Sequence, residues 1–121
     1  MEGEQASEPR IGGLLRHDVA TCRPDEPVQS VRERLAGKDY CLVLNEAGIV
    51  LGRLASRQFE AAGPDSRAED VMYPGPSTFR PNVPVEEMRE YMDKRDMKQA
   101  PVTDPGGRLL GMIHREDLPD A

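Results

Sequence analysis

The chain has 121 residues, with 16 Lys and Arg against 22 Asp and Glu, so that its formal net charge is −6. No apolar run approaches the roughly 18 residues that a membrane span needs, and the acidic first ten residues do not resemble a signal peptide. An acidic chain also lacks the clustered basic residues that general nucleic-acid binding requires. We therefore expect a cytoplasmic protein, either one compact domain or two small repeats that share a core.

An internal repeat organises the sequence. Residues 21–28 recur as residues 78–85, with Thr, Arg, both Pro and Val at matching positions. Further along, Leu51-Gly52 corresponds to Leu110-Gly111. Duplication of one supersecondary unit is the natural explanation for such matches in the same order.

Each copy is predicted to form a strand, a helix, two strands and a second helix. Asp25 and Asn82 are favourable N-cap residues, each followed by a proline in the first turn, so that the first helix of each copy is predicted to begin there. Apolar residues follow at helical spacing, and short apolar runs come after them at strand length. In chain order, the predicted elements are a strand over 19–22, a helix that includes 28–35, strands over 41–44 and 49–54, a helix over 56–62, a helical turn over 68–72, a strand over 77–80, a helix that includes 85–92, strands over 100–103 and 109–113, and a short helix from 115.

This pattern predicts an α/β (α+β) fold with two βαββα repeats. The predicted division of the chain is a disordered tail over residues 1–10, repeat 1 over 11–62, a linker over 63–67 and repeat 2 over 68–121. Pro119 interrupts the last helix almost where it begins, so repeat 2 lacks most of the helix that would cover its sheet. Because exposed apolar surface usually marks an interface, we expect a homodimer.

The sulfur-containing residues have two kinds of role. Cys22 and Cys41 lie in apolar segments and are predicted to be separate, buried, reduced thiols. Together with two scattered His residues they do not form a zinc-binding pattern, so no metal site is expected. Three methionines in and after the second long helix, Met88, Met92 and Met97, form either part of the core or a soft partner-binding face.

The ordered motifs of the second copy resemble the CBS domain, and the two copies together resemble a tandem CBS pair, or Bateman module. The resemblance covers residues 11–118 and rests on Glu69-Asp70-Val71-Met72, residues 78–85, Ala100-Pro101-Val102-Thr103-Asp104, residues 106–113 and Asp117-Leu118. It implies two repeats packed about a pseudo-twofold axis, each with a three-stranded sheet and two helices. It also implies, as in many members, an adenosine-containing ligand in the cleft between repeats and assembly into a dimer.

The family's ligand signature is a glycine, a hydrophobic residue, any residue, Thr or Ser, two further residues, and Asp or Asn. In the second copy Gly111 and Asp117 match, and His114 stands where a hydroxyl is expected. The resemblance implies that Asp117 accepts hydrogen bonds from ribose hydroxyls while His114 and Arg115 lie near a phosphate. The alternative is that Asp117 only stabilises the first turn of the following helix.

Further residues would line the same pocket. By the resemblance these are Thr78, Phe79, Arg80 and the backbone near Ala100. In the first copy only Gly52 matches the signature, since Ala55 has no hydroxyl and Gln58 is neutral where an acid is expected. We therefore expect the first copy to bind a nucleotide weakly or not at all.

These residues favour a regulatory module over an enzyme. The expected ligand is AMP, ADP, ATP, S-adenosylmethionine or NAD, bound by repeat 2, with the signal passing through the dimer or to an unknown regulated protein. No required cofactor and no catalytic residue is expected, because adjacency of His114 to Asp117 in sequence does not assemble a catalytic site. The alternative is a structural dimerisation module without a ligand.

Overall fold

The computed structural model describes residues 9–36, 38 and 40–119. The strands are β1 (Thr21–Cys22), β2 (Cys41–Leu44), β3 (Val50–Leu54), β4 (Tyr73–Pro74), β5 (Gln99–Thr103) and β6 (Leu109–His114). The helices are α1 (Val28–Leu35), α2 (Ser56–Ala61), α3 (Ala68–Val71) and α4 (Val85–Lys94), with 3₁₀ turns at Ile11–Leu14 and Arg115–Asp117. The mixed α/β architecture is therefore the one that the sequence predicts, and repeat 1 has the predicted strand–helix–strand–strand order. In repeat 2 the predicted strand over 77–80 is reduced to a single parallel bridge between Phe79 and Val102.

The described residues divide into two compact units that do not follow chain order. The repeat-1 unit contains residues 18–76 and 106–108, and the repeat-2 unit contains residues 9–17, 77–105 and 109–119. Residues 11–17, here called the lead-in segment, were assigned to repeat 1 by the sequence, but they pack in the repeat-2 unit. Most of the predicted disordered tail, residues 1–8, lies outside the described residues. Pro9, which also belongs to the predicted tail, accepts a backbone hydrogen bond from the Val85 amide.

The repeat-1 unit contains a four-stranded sheet in the order β1-β2-β3-β4. β1 runs parallel to β2, and β2, β3 and β4 are successively antiparallel. α1 buries the side chains at its predicted apolar positions against this sheet. The core residues of the unit are Cys22, Val28, Val31, Leu35, Cys41, Val43, Leu54, Phe59 and Ala68.

The repeat-2 unit has the same arrangement, but single bridges replace the two edge strands of the sheet. β5 and β6 form an antiparallel pair, Phe79 forms a parallel bridge with Val102, and Arg16 forms an antiparallel bridge with Met112. The start of each repeat thus pairs with the second hairpin strand of the other repeat: Tyr73 pairs with β3, and Arg16 pairs with β6. The core residues are Ile11, Val85, Met88, Met92, Ala100, Val102, Ile113 and Leu118.

The two long helices begin two residues later than the N-cap pattern predicts. Pro27 and Pro84 occupy the N-cap positions of α1 and α4, with no side-chain cap, so the assignment of Asp25 and Asn82 as caps is wrong. The physical reason is steric. The residue before a proline is disfavoured in the helical conformation, so each of the two helices begins only after its proline.

Both cysteines are buried and free of a disulfide, as the sequence predicts. The two thiols are separate, and the Cys41 Sγ donates a hydrogen bond to the Leu42 carbonyl at 3.7 Å. The neighbouring Cys22 thiol and the burial of the group raise the pKa of Cys41. Cys41 therefore stays protonated and unreactive at neutral pH.

Candidate functional site

The candidate site lies where β6 ends and the 3₁₀ turn Arg115–Asp117 begins. The Arg115 amide donates to the Lys98 carbonyl at 2.9 Å, which ties the turn to the start of β5. Leu118, only 3% exposed, inserts its side chain into the core directly after the turn. The turn is thus held at both ends, and its three polar side chains are displayed from a fixed backbone.

A surface pocket of about 400 Å³ lies beside this turn. Its lining residues are Lys98, Gln99, His114, Arg115 and Glu116. Gln99 and His114 are direct partners across the β5–β6 pair, so the strand register brings them together. Lys98 and Arg115 are cationic, and an ammonium and a guanidinium beside a pocket favour a phosphate or another anion.

Lys98 and Gln99 were missed by the sequence analysis. Their place in the pocket follows from the pairing of Gln99 with His114, which no motif in the sequence specifies. The nearest signal was the neighbouring Ala100, which the resemblance placed at the site. Ala100 itself is fully buried in the repeat-2 core and is not one of the residues that line this pocket.

Asp117 is paired with Arg16 of the lead-in segment. Arg16 Nε donates to Asp117 Oδ2 at 2.7 Å, and Arg16 Nη2 donates to Asp117 Oδ1 at 2.9 Å. The same Nη2 donates to Glu116 Oε2 at 2.7 Å. These bonds from Arg16 lower the pKa of Asp117, so its carboxylate remains ionised at neutral pH. Arg16 is a third residue that sequence reasoning missed.

Arg115 is engaged by helix α4. Its Nε donates to Asp93 Oδ1 at 2.6 Å and its Nη2 to Asp93 Oδ2 at 3.1 Å, while Nη1 donates to the Leu118 carbonyl. The bonds from Arg115 also lower the pKa of Asp93. Part of the positive charge next to the pocket is therefore already balanced by a carboxylate.

The signature glycine of repeat 2 accommodates the chain itself. A Cβ at Gly111 would lie 2.8 Å from the Arg16 carbonyl oxygen and 3.0 Å from Leu15 Cβ. Gly52 is confined in the same way, since its Cβ would lie 2.9 Å from the Tyr73 carbonyl oxygen. In both units the backbone that approaches the glycine is the segment that closes the sheet.

We expect Gly111→Ala to lower the free energy of unfolding by about 1–3 kcal/mol, because the new methyl group must displace backbone atoms of the lead-in segment. Gly13→Ala is a matched control within that segment, since a Cβ there meets nothing within 4 Å. Urea denaturation followed by circular dichroism compares the two. Equal stabilities for the two variants would contradict this role of Gly111.

Thr78 and Arg80 form a hydrogen-bonded cluster with the end of β5. Arg80 donates to Thr78 Oγ1 at 2.6 Å, to the Asp104 carbonyl at 2.7 Å, and to the hydroxyl and carbonyl of Thr103. Phe79 packs edge-to-face with Tyr91, with 5.0 Å between ring centroids. None of the three lines the pocket described above. Of the predicted site residues, the structure brings His114 and Arg115 into that pocket and places Asp117 at its turn.

The equivalent region of repeat 1 is built differently. Gln58 Oε1 accepts a hydrogen bond from the Ala55 amide at 2.9 Å, which caps the start of α2. The Arg53 guanidinium stacks 4.7 Å from the centroid of the Tyr73 ring. Gln58 therefore has a capping role. Among the described residues, no group of three or more His, Cys, Asp or Glu side chains is placed to hold a metal ion.

The duplicated sheet units and the signature at the end of β6 define a tandem pair of CBS repeats. Residues 11–59 and 68–121 both match the CBS domain family model. The chain therefore belongs to the CBS domain family, as its sequence motifs indicate.

Curated relatives are longer proteins. The chain is 30% identical over 120 residues to the magnesium transporter MgtE of Thermus thermophilus, covering 93% of this chain and 27% of the transporter. It is 26% identical over 106 residues to the inosine-5'-monophosphate dehydrogenase of Thermoplasma acidophilum, covering 87% of this chain and 22% of the enzyme. The chain thus spans about a quarter of the length of these relatives.

Solved structures share the fold. The cytosolic domain of the Mg²⁺ channel MgtE in complex with ATP has a TM-score of 0.82 and 28% identity, over 92% of this chain and 48% of that one. The protein CBSX2 in complex with AMP has a TM-score of 0.78 and 18% identity, over 90% and 92% of the two chains.

No helix in the described part of the chain is long and apolar enough to cross a membrane.

Proposed function

We propose that this chain is a regulatory module that binds an adenosine-containing ligand at repeat 2. The observation that carries the proposal is the pocket beside the Arg115–Asp117 turn, which Lys98 and His114 line, while the turn itself carries the signature residue Asp117. Similar CBS structures contain ATP, AMP, or 5'-methylthioadenosine with S-adenosylmethionine. The module is regulatory rather than catalytic, and its output passes to another protein or to a further part of a longer polypeptide.

The chemistry of the pocket suits a nucleotide. Its volume of about 400 Å³ falls within the range of about 300–1,000 Å³ that small-molecule sites occupy. Lys98 supplies a positive charge for phosphate, and Gln99 offers both a donor and an acceptor for a base or a sugar. Asp117, ionised at neutral pH, has the two acceptor oxygens that a ribose diol requires.

Ligand binding is tested by calorimetric titration with AMP, ADP, ATP, S-adenosylmethionine and NAD. For a nucleotide that binds, we expect Asp117→Ala to lower the affinity about tenfold, because a hydrogen bond to a charged group is lost. Gln58→Ala is the matched control from repeat 1, where the side chain caps a helix, and we expect it to leave the affinity unchanged. Equal affinities of the wild type and Asp117→Ala would refute the site.

The second candidate function is a ligand-free dimerisation module. One observation favours it: both oxygens of Asp117 already accept hydrogen bonds from Arg16. In that case the homodimer expected from the short final turn is the functional state. A chain that binds none of the five ligands and sediments as a stable dimer at micromolar concentration would establish this second function over the first.

A further inference from the structure

Arg16 holds the carboxylate that a ribose would use. Its Nε and Nη2 form a fork that meets both oxygens of Asp117 at 2.7 and 2.9 Å. A ribose diol that bonds both oxygens approaches along the same direction, because it too presents two donors side by side. The guanidinium and the diol therefore cannot occupy this position together.

The lead-in segment remains anchored without this ion pair. Ile11 is fully buried in the repeat-2 core, and Arg16 and Met112 exchange two backbone hydrogen bonds, at 2.8 and 2.9 Å. The Arg16 side chain is 40% exposed. It is thus free to leave Asp117 by a change of rotamer while the backbone of the segment stays in place.

Glu116 gives the displaced guanidinium an alternative partner. Arg16 Nη2 already donates to Glu116 Oε2 at 2.7 Å, and Glu116 is 72% exposed and lines the pocket. An Arg16 side chain that leaves Asp117 can therefore keep its ion pair with Glu116. The two arrangements differ in free energy by little, since exposed ion pairs contribute modestly to stability.

We propose that Arg16 is a built-in competitor for the ribose site, so that a ribose-bearing ligand binds to Asp117 only as the Arg16 guanidinium leaves it. This inference rests on the proposed function and adds its regulation. The apparent affinity for the ligand is the intrinsic affinity multiplied by the fraction of molecules in which Arg16 does not cover Asp117. The position of the Arg16 side chain then reports whether the ribose site is occupied.

Adenosine is the deciding probe, because it carries the diol but no phosphate that the charge of Arg16 would attract. We expect Arg16→Gln to bind adenosine about fivefold more tightly than the wild type. The gain should disappear in the Asp117→Ala background, where there is nothing to compete for. Arg34→Gln is the charge-matched control, since Arg34 forms a similar forked ion pair with Glu26 in the repeat-1 unit.

Salt gives an independent signature. Because added salt screens the ion pair but not an uncharged ligand, adenosine affinity of the wild type should rise with ionic strength. The affinity of Arg16→Gln should stay constant. A wild-type affinity for adenosine that falls or stays flat as salt is added would overturn the competition.

The outcomes separate this inference from the proposed function. If AMP binds the wild type while Arg16→Gln gains nothing for adenosine, or gains no more than Arg34→Gln, the competition is wrong and the site stands. If neither adenosine nor any of the five ligands titrated above binds the wild type or Arg16→Gln, the proposed function fails and the inference fails with it. If adenosine binds Arg16→Gln alone, the competition is established in its strongest form.

Discussion

Replacing Ile11 by alanine is expected to lower the free energy of unfolding by about 2–5 kcal/mol, the range for deleting a large aliphatic side chain from a close-packed core. Ile11 is fully buried and belongs to the same core cluster as Val85 and Ile113. Its amide also donates to the Val83 carbonyl at 3.0 Å. Urea denaturation of wild type and variant, with circular dichroism as the signal, measures the difference.

The matched control is Leu110→Ala, in the same unit. Leu110 is 37% exposed, so its truncation is expected to change the free energy of unfolding by less than about 0.5 kcal/mol. If Ile11→Ala proved as stable as Leu110→Ala, the lead-in segment would not be part of the repeat-2 core. The proposal for Arg16 would then lose the anchored backbone on which it depends.

Most helices and strands within the repeats could be predicted from the sequence because their signals are local. The apolar spacing of Val28, Val31 and Leu35 is set by the helical period, and all three are buried as that period requires. β2 lies over Cys41–Leu44, where the apolar run predicts it. The helix starts were misplaced because N-cap preference and the restriction before proline conflict at Asp25 and Asn82, and the steric restriction prevails.

The site could be predicted only in part, because its geometry depends on distant pairings. The signature located His114, Arg115 and Asp117, which follow one another along one turn. The partner of Asp117 is Arg16, 101 residues away in sequence, and it is brought there by the bridge between the lead-in segment and β6. A strand pairing between two ends of a chain leaves no periodic trace in the residues themselves.

The two signature glycines show the same limit. The family resemblance makes Gly111 part of a ligand signature. In the structure the closest atoms to its missing side chain belong to Leu15 and Arg16. The same residue type at the same motif position therefore serves sheet closure, and only the register of the closing segment reveals it.

Met92→Ala is expected to lower the free energy of unfolding by about 2–5 kcal/mol, which distinguishes the two roles that the methionines of α4 allow. Met92 and Met88 are 0% and 1% exposed and lie in the repeat-2 core, so both belong to the core in this structure. Met92→Leu is the matched control, because it nearly conserves volume and costs less than about 1.5 kcal/mol. Thermal and urea denaturation of the three proteins measure the effects. If Met92→Ala kept wild-type stability, Met92 would not be packed as described, and a partner-binding face would become the better interpretation of this helix.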